Sequence, residues 1–283
     1  MIIDAHVHIF PPEVLADRTE FFNGEEAFQL IYADPAAKMV SAGELIAALD
    51  EDEVDKAVVC GFPWQKTALA RKHNDYILAA AQEHPERIIP LAAVDPLDPD
   101  GLAEAERALG SGAAGLGEIG AYAADLGQPQ VLAGLKSLAG LCHEAGKPLL
   151  LHANEPVGHR YPGKRPIGLA GLYQLIQASP QTRFQLGHLS GGLFFYELLK
   201  KEVRGVLEKC VFDTAAAPFL YQPQLYPIFA AIAGEERLLY GSDYPLLGLG
   251  RYLKEMAQGG VESGFRHKIL GENAAAFWGL DSE

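Results

Sequence analysis

The residues best suited to chemistry are four histidines and two carboxylates that recur at one kind of position in the chain. His6 and His8 lie in MIIDAHVHIF, an apolar run stopped by Pro11 and Pro12, which reads as a buried strand. Side chains at i and i+2 share a face of a strand, so both imidazoles point the same way from its C-terminal end. Neutral imidazole is a common nitrogen ligand for zinc and similar ions, and two of them side by side begin a metal site. By the same spacing Asp4 falls on that face one layer deeper, to orient a ligand or to serve the structure. The other candidates lie at the ends of later apolar runs: Glu118 in AAGLGEI, His152 in PLLLH, His188 in RFQLGH and Asp243 just after RLLYGS. Each has a plainer role by itself, such as a satisfied core histidine at 152 or an N-cap at 243. With four of the nine histidines at strand ends, packing alone is a poor explanation for the set.

Bringing those ends together requires many parallel strands with one rim. Strands are expected over 1–10, 56–60, 88–94, 113–119, 148–152, 183–188, 210–214 and 237–242. Helices are expected between them, the first capped by Ser41 with Glu44 three residues on, the last ones near 251–258 and 261–277. Eight strand–helix alternations in 283 residues predict an α/β protein, a (β/α)8 barrel in a single domain 1–283. It carries an extra C-terminal helix and a long loop after strand 1. That loop, about 9–40, holds Phe21, Phe22, Phe28 and Tyr32 and reads as a lid or covering segment. An open doubly wound sheet is the alternative, but no glycine-rich phosphate turn follows the first strand. A barrel has its active site at the C-terminal strand ends, where the candidates fall. Alternation places His152 with Leu150, and His188 with Leu186 and Phe184, on faces that would fill the interior.

Taken in order, IDAHVH (3–8), LLLHANE (149–155), QLGHLSGG (185–192), YGSDYP (240–245) and the closing ILGENAAAFWGL (269–280) resemble the amidohydrolase superfamily of metal-dependent barrel enzymes. The resemblance covers the whole chain and is greatest to the amidohydrolase-2 branch, which holds hydrolases and non-oxidative decarboxylases. GLGEIG (115–120) is similar instead to the fourth-strand motif of TatD-like nucleases and hydrolases, whose glutamate bridges two metals. The carboxylated lysine of other two-metal members has no counterpart here. The resemblance implies that His6, His8 and Asp243 hold a first metal, with His152 completing a one-metal site and His188 left for substrate or water. If Glu118 bridges, His152 and His188 bind a second ion. The implied catalytic residues are Asp243, as proton carrier, and His188. The cofactor expected is a divalent metal, zinc first, as one or two ions.

Substrate choice falls to the loops. Trp64, Tyr122 and Arg251 follow strand ends as candidate wall residues, and Arg160 leads a cationic group with His159, Lys164 and Arg165 that could clamp a carboxylate or phosphate. The net charge of -14 argues against nucleic acid or an anionic membrane as partner and still admits an anionic small molecule. Cys60, Cys142 and Cys210 form no zinc or disulfide pattern, which suits a reducing cytoplasm, and no signal peptide or membrane span is read. A homo-oligomer is compatible with these features. The expected activity is a metal-dependent hydrolase of a small amide, ester or lactone. A metal-dependent decarboxylase of a small aromatic or unsaturated acid is the alternative, then a TatD-like nuclease, then a metal-binding protein on an inactive barrel.

Overall fold

A computed structural model describes residues 1–122, 128–164 and 168–280. Eight strands run parallel in chain order: β1 Ile3–His8, β2 Lys56–Cys60, β3 Ile88–Ala92, β4 Gly115–Ile119, β5 Leu149–Leu151, β6 Phe184–Leu186, β7 Cys210–Asp213 and β8 Leu238–Leu239. The ends of the sheet meet. Ala5 N–H donates to Tyr240 O (2.8 Å), Asp243 N–H to His6 O (3.0 Å) and His8 N–H to Tyr244 O (2.9 Å). The expected (β/α)8 barrel is therefore present, with no helix among the described residues long and apolar enough to cross a membrane.

The strands are buried on both faces, as a barrel wall wrapped in helices must be. Ile3, Ala5, Val58, Ile89, Leu91, Leu150, Val211 and Leu239 form one apolar cluster with Ala274 and Phe277, so the last helix plugs the lower interior. Val7, Val59, Leu116, Leu151, Phe184, Phe212 and Leu238 belong to the larger cluster between strands and surrounding helices. Helix Ala42–Glu51 begins with the full capping box of Ser41 and Glu44, and helix Pro129–Glu144 with proline in its first turn.

Several boundaries differ from expectation for local reasons. The stretch after β1 is not irregular: it folds into helix Pro12–Ala16, a 3-10 turn Arg18–Phe21 and helix Glu26–Tyr32. Phe10, Phe28, Phe62 and Trp64 form an apolar layer there, with Phe21, Phe22, Tyr32 and Tyr122 against it. Burial of these rings, rather than turn chemistry, folds the segment. The long C-terminal helix is divided into Ser263–His267, a π turn Lys268–Glu272 and Asn273–Trp278. Strand β6 stops at Leu186, two residues short of His188.

Two β-bulges decide what faces the interior. Pairing of β1 with β2 advances from Asp4↔Ala57 to Val7↔Val59, an extra residue in β1. An extra residue flips the facing of all that follow. His6 and His8 are thereby turned inward above Ala5, while Asp4 stays outside, among Leu45, Leu49, Tyr240 and Leu249. Asp4 is thus not on the histidines' face. Its carboxylate accepts the backbone N–H groups of His6 (3.2 Å) and Ser242 (2.9 Å), tying β1 to the segment that carries Asp243. β4 shows the same device between Leu116 and Ile119. Its extra residue is Gly117 at φ 150°, where an added Cβ would lie 2.5 Å from Leu150 Cβ, so only glycine fits. Beyond it Glu118 faces inward.

Candidate metal centre

The inward residues of five strand ends converge. His6 and His8 bring their Nε2 atoms within 3.3 Å of each other. Asp243 Oδ1 lies 3.4 Å from His8 Nε2 and 4.0 Å from His6 Nε2. Glu118 stands between this group and the other histidines: Oε1 is 3.5 Å from His6 Nε2, 3.3 Å from His188 Nε2 and 2.8 Å from His152 Nδ1. Its Oε2 is 3.8 Å from His8 Nε2 and accepts the Tyr122 hydroxyl at 3.2 Å. All six residues named from the sequence as metal or catalytic candidates are thus brought to one place.

His188 reaches it by an unexpected route. Phe184 and Leu186 pack outward, and the inward residue of β6 is Gln185. After β6 the backbone is left-handed for five residues, His188 to Gly192, with φ from 50° to 92°. Three of them are not glycine, a conformation costing about 1–2 kcal/mol per residue. Strain of this kind collects where a site dictates the backbone. The turn is locked from above, since a Cβ on Gly191 would lie 2.2 Å from Asn154 O.

Sequence reasoning missed Asp213. It ends β7 and faces inward with Val211, the same strand-end signal that singled out the other six. Its carboxylate accepts His6 Nδ1–H at 3.0 Å. Cys60 was also passed over: its Sγ lies 3.6 Å from His8 Nδ1 at the end of β2.

The electrostatics explain how these groups coexist in a buried place. Burial alone would lower the pKa of His6, but the charges of Asp213 and Glu118 outweigh it and hold the ring well above its ordinary value. His188 is likewise raised against burial, by its contact with Glu118 and the charge of Asp243. Burial pushes Glu118 up; His152 and His6 outweigh it and hold the carboxyl well below its usual range. Asp243 is also lowered against burial, by its bond to His8 and the charges of His188 and His6.

These donors fit a divalent cation. His6 commits Nδ1–H to Asp213, and His188 commits Nδ1–H to Ala215 O at 3.0 Å. In the neutral ring the opposite Nε2 then carries a lone pair, and both Nε2 atoms face Glu118 Oε1. Lone pairs turned on a carboxylate oxygen are held there only by positive charge between them, a proton or a cation. Nitrogens bound about 2.0–2.1 Å from a tetrahedral ion lie roughly 3.3–3.4 Å apart, matching the His6–His8 spacing. His152 Nε2, in addition, is buried with no hydrogen-bond partner among the described residues.

The wall candidates divide. Tyr122 borders the cluster, its ring 4.8 Å from His152 and stacked on Phe62 at 5.8 Å. Trp64 is fully buried in the aromatic layer, its indole N–H donated to His73 Nδ1 at 2.9 Å, and stands behind the wall. Tyr32 packs against Phe10, Phe28 and Phe62; burial raises its phenol, with the charges of Asp243 and Glu118 adding to the shift. Among the described residues of the cationic group, one cation is already paired. Lys164 pairs with Glu155 at 2.5 Å and donates to His159 O at 3.1 Å. His159 and Arg160 are exposed, and Arg251 pairs with Glu255 on its own helix at 3.1 Å. Arg165 lies outside the described residues.

An amidohydrolase family model matches residues 3–280. No curated protein matches the chain by sequence. Among solved structures it is similar to 5-carboxyvanillate decarboxylase from Sphingomonas paucimobilis, at 17% identity over 99% of both chains and a TM-score of 0.75. The same enzyme from Novosphingobium aromaticivorans, complexed with manganese and 4-hydroxy-3-methoxy-5-nitrobenzoic acid, is similar at 16% identity over 99% of this chain and 96% of that one, TM-score 0.76. A dihydroxybenzoic acid decarboxylase from Polaromonas, with manganese and the inhibitor 2-nitroresorcinol, is similar at 15% identity over 100% and 98%, TM-score 0.71. At such identities the likeness is one of fold.

Proposed function

The chain belongs to the amidohydrolase family, and from that we propose that it is a metal-dependent, non-oxidative decarboxylase of a small aromatic acid. The observation that carries the reading is the pairing of a metal-type donor cluster with an aromatic wall. Tyr122 stacks on Phe62 beside His152, a flat surface for a planar ring. Similar folds named as aromatic-acid decarboxylases support it, and it displaces the hydrolase expected first. In this reading the substrate is a small anionic molecule, in keeping with the acids in those names.

His6, His8 and Asp243 would hold the cation, with Glu118 beside them. A bound divalent ion supplies Lewis-acid charge for the substrate's oxygens. Manganese is the first candidate, since the similar enzymes carry it, and two carboxylates among the donors suit it; zinc shares the imidazoles. Loss of carbon dioxide leaves an electron pair on a ring carbon, which must take a proton. Asp243 starts ionised, takes a proton from a substrate hydroxyl or water, and delivers it to that carbon. The bare Nε2 of His152 accepts a hydrogen bond from a substrate hydroxyl.

One observation favours a second reading. Glu118 lies between the His6–His8 pair and the His152–His188 pair, where a carboxylate bridging two ions would sit, as hydrolysis by a two-metal site requires. A panel of hydroxybenzoates, amides, esters and lactones, assayed for carbon dioxide and for hydrolysis with added manganese or zinc, separates them. Carbon dioxide release with one ion per chain supports the decarboxylase. Hydrolysis alone, with two ions reduced to one by Glu118→Gln, replaces it.

A further inference from the structure

Asp213 at the barrel mouth has no exposed surface, and both its carboxylate oxygens are engaged. Oδ2 accepts from His6 Nδ1 at 3.0 Å and from Gln185 Nε2 at 2.7 Å. Oδ1 accepts the backbone N–H groups of His188 at 3.0 Å and Ala215 at 3.1 Å. Three N–H donors independent of His6, from Gln185, His188 and Ala215, hold this carboxylate as an acceptor, so it offers His6 no proton. The ring nitrogen of His6 that faces it must therefore carry hydrogen. The effect on His188 is indirect. With its amide fixed by Asp213, Ala215 presents its carbonyl to His188 Nδ1 at 3.0 Å, so that nitrogen is also the donor. Gln185 has its own amide settled by two partners, the Ala5 carbonyl at 2.8 Å and the Trp278 indole N–H at 3.0 Å.

We propose that Asp213 is the positioning residue that sets the tautomers of two imidazoles, His6 through its ring and His188 through its backbone, leaving both Nε2 atoms as lone-pair donors to a single point. A carboxylate behind a ligating histidine is a general device for fixing ring and tautomer. Here one carboxylate at the end of β7 serves histidines from β1 and β6 and also anchors the start of the left-handed turn. The consequence for cation binding rests on the reading of the mouth as a metal site. The tautomers themselves do not.

The test uses Asp213→Asn in the full chain. Asparagine keeps the size and one acceptor oxygen for the two backbone amides, but turns an N–H2 toward His6 and Gln185. His6 should then accept at Nδ1 and carry its proton on Nε2. Nitrogen-15 NMR of histidine-labelled protein in alkaline solution, where the rings are uncharged, reads this directly. Wild type should show Nδ1–H at His6 and His188, and the variant Nε2–H at His6. Manganese affinity, measured by chelator competition, should weaken about 10–100-fold while the melting curve stays cooperative. A folded variant with wild-type affinity and an unchanged His6 tautomer overturns the proposal. If Asp213→Asn fails to fold, the wild-type spectrum decides: Nε2–H at either histidine overturns it. Wild type that shows both tautomers as stated yet binds no cation overturns the metal reading alone.

Discussion

His6, in β1, and His73, bonded to Ile9 just past the end of that strand, are both buried, and their surroundings give them opposite characters. His73 sits in helix Thr67–Glu83 behind the aromatic layer. Its Nε2–H donates to Ile9 O at 2.7 Å, and its Nδ1 accepts the Trp64 indole N–H at 2.9 Å. Both ring nitrogens are satisfied and no carboxylate is near, so burial pushes its pKa down to about 4. His6 has one nitrogen anchored by a carboxylate and the other turned toward a second one and toward His8, and its pKa rises. Burial is common to both. What distinguishes a site histidine from a core histidine is an uncommitted nitrogen with negative charge around it.

The largest effects that sharpen this contrast are on activity. Asp243→Asn and His188→Asn should each lower turnover by about 10²–10⁴-fold with a melting temperature near that of wild type. His73→Leu should leave turnover and cation affinity close to wild type. If His73→Leu loses activity as deeply as Asp243→Asn while remaining folded, the division between the two regions is wrong.

Stability against pH comes next, and the two classes have opposite signs. His73 has a folded value of about 4 against 6.5 unfolded, so between these the unfolded chain binds the extra proton. Its contribution, about 3 kcal/mol, is complete above pH 6.5 and is lost as pH falls toward 4. His6 and His188 have raised folded values. Their contribution to the metal-free protein is complete below 6.5 and is lost as pH rises through those values. Denaturant titrations across pH should show the acid loss diminished in His73→Leu and retained in His188→Asn. The reverse pattern would exchange the two assignments.

Smaller effects follow from the partners. At neutral pH His73→Leu takes their His73 partner from Ile9 O, the Trp64 indole N–H and the Phe62 N–H, which should cost about 2 kcal/mol by chemical denaturation. Trp64→Phe removes one of two donors to His73 Nδ1, the Phe62 N–H at 3.4 Å remaining, and should cost about 1 kcal/mol, with cation affinity unchanged. A loss of cation affinity in Trp64→Phe would instead bring the aromatic layer into the site.

The same contrast explains what could be read from the sequence. Eight strands and a rim of histidines and carboxylates were legible because apolar runs end where barrel chemistry lies. His6, His8, Glu118, His152, His188 and Asp243 do converge. That His6 and His8 share a face was legible, but the facing of Asp4 and Glu118 was not, because it depends on one extra residue in β1 and another in β4, and bulges leave no mark in a period-two pattern. His188 was assigned to a strand that stops earlier; a left-handed turn delivers it instead. Asp213 was legible and overlooked, since CVFDT closes a buried strand as PLLLH does. In the β5 loop, charge along the chain did not disclose that Lys164 is held by Glu155.

The central claim is that imidazoles and carboxylates from separate strands share a cation. Its most direct test is cobalt(II) titration of metal-stripped protein, followed by visible absorption, in wild type and His6→Asn. Saturable binding with bands typical of nitrogen-ligated cobalt in wild type, lost in His6→Asn, is the predicted result. Wild type that binds no cobalt, or binds it identically after His6→Asn, would contradict it.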